Sequence, residues 1–463
     1  MSFAVAVAAL IFLMFVAYRG FSVILFAPVA AMAAVLLTDP AAVPSAFSGV
    51  FMERMVGFIR DYFPVFLLGA VFGKLIEISG FSKSIVSAVT TLLGPKFTIA
   101  SIVLVGAILT YGGVSLFVVV FAVYPFAAEM FRQHNIPKRL IPGTIALGAF
   151  SFTMDSLPGT PQIQNIIPTT YFKTDGFAAP VLGSLGGLFI FLVGMAYLEW
   201  RRHAALKAGE GYGEGHVNEP PPLAHEKLAP AWLALLPLVL VFGLNKLFTN
   251  LIAAHYGKSY ELKLAAMAKP VTVAVDKLTA VWAVEGALIV GILAVVALGW
   301  RQASKGFAEG GKAAVSGALL ASMNTASEYG FGAVIATLPG FLVIRDALAS
   351  IPNPLVNEAV TVTALAGITG SASGGMSIAL AAMADQFVAS ANAAGIPLEV
   401  LHRVAAMASG GMDTLPHNGA VITLLAVTGL THRHSYKDIF AVTCIKTAAV
   451  FVVIALYYAT GLV

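Results

Sequence analysis

Charge is scarce in this sequence. Of 463 residues only 11% are Asp, Glu, Lys or Arg, while 59% are hydrophobic and mean hydropathy is +0.88; a soluble domain carries about a quarter charged residues. The deficit excludes an ordinary cytosolic enzyme, a disordered scaffold and a nucleic-acid-binding domain. Cysteine is almost absent: the one thiol, Cys444, forbids an intrachain disulfide and, lying in an apolar run, is expected to be a packing residue. No G-x-x-x-x-G-K-[ST] loop occurs, which argues against ATP-driven transport within the chain. No Cys/His cluster has metal-ligand spacing, no His-Glu-x-x-His helix occurs, and the glycine-rich patches follow no predicted strand. Neither cofactor, metal nor enzymatic activity is therefore expected. The first residues, Met1-Ser2-Phe3-Ala4-Val5, lack the basic n-region of a cleavable signal, so the run to Ala17 is expected to stay as a span.

What is abundant is apolar sequence in blocks of bilayer length. About 20 apolar residues cross the hydrocarbon core as a helix, and such blocks recur at Ser2–Ala17, Phe21–Leu37, Tyr62–Ile78, Leu140–Thr153, Phe177–Trp200, Pro230–Phe248, Leu278–Trp300, Ala326–Val343 and Ile439–Leu462. Three more are interrupted: Phe97–Met130 by Tyr111-Gly112-Gly113, Val360–Ala394 by Gly and Ser, and Val404–Thr428 by a Pro-containing segment. The expected fold is an all-α polytopic membrane protein of about 10 to 12 spans, with broken helices and re-entrant hairpins. A basic excess of 27 Lys+Arg over 23 Asp+Glu fits cytoplasmic loops rather than a polyanionic partner. Placing Lys83–Lys96, Arg132–Arg139, Arg201–Lys207 and Arg301–Lys312 inside leaves Thr38–Asp61, Tyr171–Gly176 and Thr249–Lys277 outside.

The chain also resembles itself. Gly69-Ala70-Val71 matches Gly332-Ala333-Val334, Gly112-Gly113-Val114-Ser115 matches Gly374-Gly375-Met376-Ser377, and Met154-Asp155-Ser156-Leu157-Pro158 matches Met412-Asp413-Thr414-Leu415-Pro416. The offsets, 263, 262 and 258, are nearly collinear. A duplication follows, with an N-terminal half over 1–208 (repeat 1 at about 60–200), a flexible cytoplasmic linker over 209–228 and a C-terminal half over 229–463 (repeat 2 at about 320–460). The span after Asp61 enters from outside and its counterpart after Lys312 from inside. The repeats are therefore expected to be inverted, with a site at the midplane where they meet.

The chemistry is expected at the interruptions. Pro158-Gly159-Thr160-Pro161 cannot continue a helix, so backbone groups come free in the membrane interior, where something polar must satisfy them. A helix restarting at Gln162 would point its positive end at a carboxylate. Ser156, Gly159, Thr160, Gln162 and Asn165 of the first break, with Thr414 and Asn418 of the second, are candidate substrate ligands. Gly112, Gly113 and Ser115, and Ser371, Ser373, Gly374, Gly375 and Ser377, form two Gly/Ser hairpin tips that could hold a carboxylate or a cation; close packing of small residues is the alternative. Asp155 and Asp413 are expensive at that depth, which makes them candidate proton or cation carriers, or caps of the broken helices. His417 and Glu328, the latter at the start of a span, are further coupling candidates.

The run Gly69-Ala70-Val71-Phe72-Gly73-Lys74 to Ser79-Gly80, the Pro-Gly-Thr-Pro break and the inverted halves resemble the gluconate:proton symporter (GntP) family, within the wider ion-transporter superfamily. The resemblance implies proton-coupled uptake of small organic anions across a bacterial inner membrane, on inverted repeats with re-entrant hairpins, often as a homo-oligomer. The first break lacks the histidine between prolines associated with gluconate transport. The Asp413-Thr414-Leu415-Pro416-His417-Asn418 form resembles relatives that take short hydroxy acids such as 3-hydroxybutyrate. Because the broken segments offer amides and hydroxyls but no arginine, one carboxylate and one or two hydroxyl groups are expected on the substrate. Proton coupling is the leading reading. Sodium coupling, a passive channel and a membrane-embedded enzyme remain as alternatives.

Overall fold

The computed structural model describes residues 2–19, 21–220, 228–267, 269–343, 350–416 and 418–463. Helix α1 (Ser2–Tyr18) pairs with α2 (Val23–Thr38). A π-helical turn, Ala46–Phe51, then runs without a stop into α3 (Met52–Ile78). The stretch expected to precede a span at Tyr62 is thus part of one apolar helical run, Pro40–Ile78, with Arg60 and Asp61 paired to each other at 2.7 Å. The amphipathic helix α4 (Phe81–Leu93) follows and takes up much of the first basic stretch.

The third apolar block is a hairpin. Its arms are α5 (Thr98–Tyr111) and α6 (Leu116–Gln133), and the tip turns at Gly113, whose φ of +97° only glycine adopts without strain. Next come α7 (Ile141–Ala149) and the single turn α8 (Phe152–Asp155). The chain breaks at the two prolines and restarts as α9 (Ile163–Phe172) before the long α10 (Pro180–Lys207). Helices α11 (Ala231–Tyr256) and α12 (Val275–Leu298) form a pair. They are joined by an antiparallel hairpin of β1 (Ser259–Leu262) and β2 (Val271–Ala274), which hydropathy gave no reason to expect.

Helix α13 (Trp300–Thr337) is 38 residues long, so Arg301–Lys312 is helix rather than loop, and Glu328 lies deep within the span rather than at its start. A second hairpin, α14 (Pro354–Thr369) and α15 (Ala372–Ala393), turns at Gly370 with φ +65°. Helix α16 (Leu398–Ser409), a break, α17 (Gly419–Thr428) and α18 (His432–Thr460) complete the chain. The order long helix, hairpin, broken helix, long helix therefore occurs twice, as α3, α5/α6, α7–α9, α10 and again as α13, α14/α15, α16–α17, α18. Counterparts run antiparallel. Gly310 of α13 lies against Lys74 and Ile78 of α3, whereas Gly330 lies against Phe51. Val181 N–H at the start of α10 donates to the Val463 carbonyl after α18, while Arg201 near its end pairs with Asp438 near the start of α18 at 2.7 Å. Antiparallel counterparts are what a two-fold axis in the membrane plane produces.

Among the described residues, six helices are long and apolar enough to cross a bilayer, and five shorter apolar helices of 10–17 residues accompany them. The fold is that of an all-α polytopic membrane protein. One of the six, Leu116–Gln133, starts at a hairpin tip, so its length does not make it a separate crossing.

Two expectations are corrected. Cys444 is exposed on the flank of α18 rather than packed; an apolar run facing lipid need not bury every member. The described part of the presumed flexible linker is pinned to the bundle. Lys138 donates to the Val217 carbonyl at 2.9 Å and pairs with Glu219 at 2.6 Å, Arg139 pairs with Glu210 at 2.6 Å, and Tyr124 donates to the Asn218 carbonyl at 2.7 Å. Asn218 in turn donates to the Ala426 carbonyl at the end of α17. Low hydropathy made this strap look free, but these five polar contacts hold it.

Candidate functional site

The two breaks meet. After Asp155 and after Ser409 the helical ladder ends, and the freed groups are satisfied across the repeat boundary. The Asp155 carboxylate accepts from Ser156 Oγ at 2.7 Å, and its other oxygen lies so close to Gly410 that a Cβ there would come within 1.9 Å of it. Lys446 of α18 donates to the Asp413 carboxylate at 2.8 Å and to the Phe150 carbonyl, at the end of α7, at 2.9 Å. One ammonium thus ties the acid of the second break to the backbone of the first. Asp155 is within electrostatic reach of Lys446, Asp413 and Arg403.

Arg403 of α16 is fully buried. Its guanidinium donates to the Asp155 carbonyl at 3.0 Å, twice to the Ala178 carbonyl at 3.2 and 2.8 Å, and to Asn165 Oδ1 at 3.0 Å. The adjacent His402 lies 2.6 Å from Thr174 Oγ1 and 3.3 Å from Asn165 Oδ1. A segment of the loop after α9 folds back over the first break, where the Gly159 N–H donates to the Gly176 carbonyl at 2.7 Å. Two acids, Asp155 and Asp413, and two bases, Arg403 and Lys446, therefore share one buried centre.

Sequence reasoning missed both bases. The signal was present: His402-Arg403 and Lys446 stand in apolar runs, where ionisable residues are expensive and paired. The expectation that the broken segments work without an arginine is corrected by Arg403, which reaches the first break from a helix of the other repeat.

Several residues expected to hold substrate hold the protein. Asn165 spends its amide on the Thr160 and Gly176 carbonyls, and Thr160 donates to the Thr153 carbonyl. Gln162 donates to the Thr110 carbonyl at 2.7 Å, hooking the first break onto the first hairpin tip. The second repeat uses the same device: Asn418 donates to the Gly370 carbonyl at 2.7 Å while its oxygen caps the Val421 N–H. Thr414 pairs with Thr443, Ser371 caps the Gly374 N–H, and Ser156 serves Asp155. Gly112 packs against Leu238, and Gly113 against Pro161 and Leu288, so the first tip, with Ser115 behind it, is closed by side chains of α11, α12 and the break. Gly375 lies on the backbone of Ala366, as a tight hairpin demands.

The second tip is different. Thr325 and Ser373 are 3.1 Å apart, and the Glu328 carboxylate presses on Gly374 with its Oε2 unpartnered. Ser377 and Ser327 are buried with unpartnered hydroxyls, as is Glu358 of α14 with both carboxylate oxygens. His417 lies outside the described residues.

An open apolar groove of about 430 Å³, lined by Thr363, Gly367, Met412, Leu415 and Phe451 among others, lies against the second break. Thr363 donates to the Ala408 carbonyl and Thr447 to the Thr443 carbonyl, so both present methyl groups to it.

No family model matches the chain. It is 58% identical over 460 residues, 97% of this chain and 98% of the relative, to a Bacillus subtilis (strain 168) protein named "Uncharacterized transporter YxjC". Among solved structures, the YdaH transporter of Alcanivorax borkumensis, described as having an unusual topology, shares the fold. Its TM-score is 0.50 at 14% identity, over 92% of this chain and 90% of that one. With helices of membrane-crossing length and 58% identity to YxjC over 97% of its length, the chain belongs to the transporter family of that Bacillus subtilis protein.

Proposed function

We propose that this membrane transporter takes up a small organic monocarboxylate together with a proton, across the bacterial inner membrane. The observation that carries the reading is the charge balance of the buried centre. Asp155 and Asp413 offset Arg403 and Lys446, so these four sum to zero when all are ionised; the partly buried Asp175, which also acts on Arg403, accepts from the Phe177 N–H. Bringing one carboxylate into it leaves an uncompensated charge in a low-dielectric interior, which costs several kcal/mol (order of magnitude). One proton taken up with the anion removes that charge. Anion and proton then cross together because either alone is expensive.

The Lys446–Asp413 pair supplies the exchange. Protonation of Asp413 releases Lys446 from its partner, and the freed ammonium can pair with the substrate carboxylate. Release of the proton restores the internal pair and expels the anion. Loading from either side follows from the inverted repeats, whose antiparallel counterparts give the two faces equivalent geometry. The substrate class is a short hydroxy monocarboxylate such as 3-hydroxybutyrate, ahead of gluconate. The open groove beside the second break offers methyls and hydrocarbon, which suit a short alkyl chain better than a row of hydroxyl groups.

Uptake of labelled 3-hydroxybutyrate and of gluconate into proteoliposomes tests the proposal. Accumulation of 3-hydroxybutyrate above equilibrium under an inward proton gradient is expected. Accumulation under a sodium gradient alone would transfer the coupling to sodium, and equilibration without accumulation would make the protein a channel or facilitator.

A further inference from the structure

The second hairpin tip carries buried polar atoms that the centre above does not use. Glu328 is 4% exposed, and its Oε2 has no hydrogen-bond partner within ordinary distance, the Ser371 hydroxyl being the one side chain that acts on the carboxylate among the described residues; Ser377 is 1% exposed and its hydroxyl has no partner either. They lie on two helices in contact, α13 and α15. On α13, Thr325, Glu328 and Gly332 are spaced for one helix face, and they meet Ser373, Gly374 and Ile378 of α15 in turn. Ser377 lies one turn on from Ser373, on that same face of α15. Ser327, beside Glu328, adds another unpartnered buried hydroxyl.

Native interiors leave few buried polar atoms unsatisfied, and a buried carboxylate without a cation is the most costly of them. No charged side chain acts on Glu328 among the described residues. On the neighbouring elements, Tyr329 and Tyr171 share a hydrogen bond of 2.7 Å, and Arg54 acts on Tyr171. Lys74 and Glu77 of α3 pair with each other at 2.8 Å. Among the described residues none supplies a countercharge to Glu328.

We infer that Glu328 and Ser377, with Ser327 beside them, form a second cation site at the tip of the α14/α15 hairpin, distinct from the Asp155–Asp413 centre, which binds one small monovalent cation, a proton or a sodium ion. Gly374 is part of the site, because a Cβ there would overlap the carboxylate oxygen at 1.6 Å. The cation joins α13 to the hairpin and holds the tip closed. The inference relies on the transport reading only for the use made of the cation; the site itself is tested without substrate.

The test is thermal unfolding of the full chain purified in detergent, with no organic acid present. The wild type is followed from 0 to about 200 mM NaCl against choline chloride, and from about pH 5.5 to 8.5; a specific site is expected to raise the melting temperature by about 2–6 °C. A rise with sodium but not choline identifies sodium. A rise as pH falls, without a sodium effect, identifies a proton, since the folded site then binds the proton more tightly than the unfolded chain does. Glu328→Gln is expected to abolish whichever response the wild type shows. An unchanged response in Glu328→Gln, or no response in the wild type, overturns the inference. Should Glu328→Gln fail to fold, Ser377→Ala decides: a midpoint weakened by about fivefold supports the site, and an unchanged midpoint overturns it. Uptake of 3-hydroxybutyrate can fail in every assay while these shifts persist, so failure of this site and failure of the transport reading are separable.

Discussion

At the residue scale, Lys446 is the group whose loss should be felt most. Removing it leaves Asp413 buried and unpaired, and breaking a buried pair from one side typically costs about 3–5 kcal/mol. Lys446→Met is therefore expected to lower the unfolding temperature by several degrees and to abolish concentrative uptake, whereas Lys446→Met with Asp413→Leu should recover most of the stability and none of the uptake. Equal stability of the single and double variants would show that the pair is not the unit described. Gly410 makes a second, purely steric prediction. Its φ of −79° suits any residue, so Gly410→Ala tests contact rather than backbone freedom. A methyl pressed against the Asp155 carboxylate is expected to cut uptake by an order of magnitude or more, with the protein still expressed and inserted. Asp155 and Asp413 were legible in the sequence because two acids in matching apolar segments stand out. Arg403 and Lys446 were equally legible by the same criterion, and only attention to the acids alone hid them. What no sequence could state is that Arg403 spends its donors on backbone carbonyls of the other repeat, because that depends on which helix lies beside the break.

At the scale of elements, each break is hooked to its own hairpin by one side-chain amide, Gln162 in the first repeat and Asn418 in the second. Asn418→Ala removes both the cap of α17 and the hook to Gly370. Loss of an N-cap costs about 1 kcal/mol, and the orphaned Gly370 carbonyl adds to that. The expected result is a destabilisation of about 1–3 kcal/mol, measured by thermal unfolding, with hydrogen exchange rising first in the α14/α15 tip. Exchange rising uniformly along the chain would contradict the hook. The hairpins were foreseeable from Gly112-Gly113 and from Gly370 to Gly375, since glycine at positive φ and close backbone approach leave a compositional trace. The amide hooks were not. Gln162 and Asn418 carry the same groups as substrate ligands would, and only the carbonyl standing opposite each one reveals a structural partner.

At the scale of the whole molecule, the strap that follows α10 joins α6 and the α6–α7 corner to the end of α17 through Glu210, Asn218 and Glu219. Arg139 donates to Glu210 and holds its carboxyl below the usual 4.5. A group whose proton affinity is depressed by folding stabilises above its unfolded value and loses that contribution as pH falls through the folded one. The Arg139–Glu210 contact is therefore intact at neutral pH and released only below about pH 4.5. Limited proteolysis of the strap is expected to accelerate there, and Glu210→Gln should show the acid behaviour already at pH 7. The contact is half open to solvent, so the effect should be local, with little change in global unfolding.

Composition by itself determined that this chain lies in a membrane, because 59% hydrophobic residues in blocks of bilayer length have no other solvent. The ordered matches between its halves determined that it is built twice, since no folding information is needed to see a duplicated pentapeptide. Only the tertiary structure decided that Asp155, Asp413, Arg403 and Lys446 meet where the two breaks come together, that the strap is tied down, and that Glu328 lies buried against a hairpin tip. Those facts rest on which helices are neighbours. Hydrophobic sequence specifies burial without specifying a partner, because one apolar face packs almost as well against another, whereas a buried charge has a single low-energy position and shows it only once the chain around it is folded.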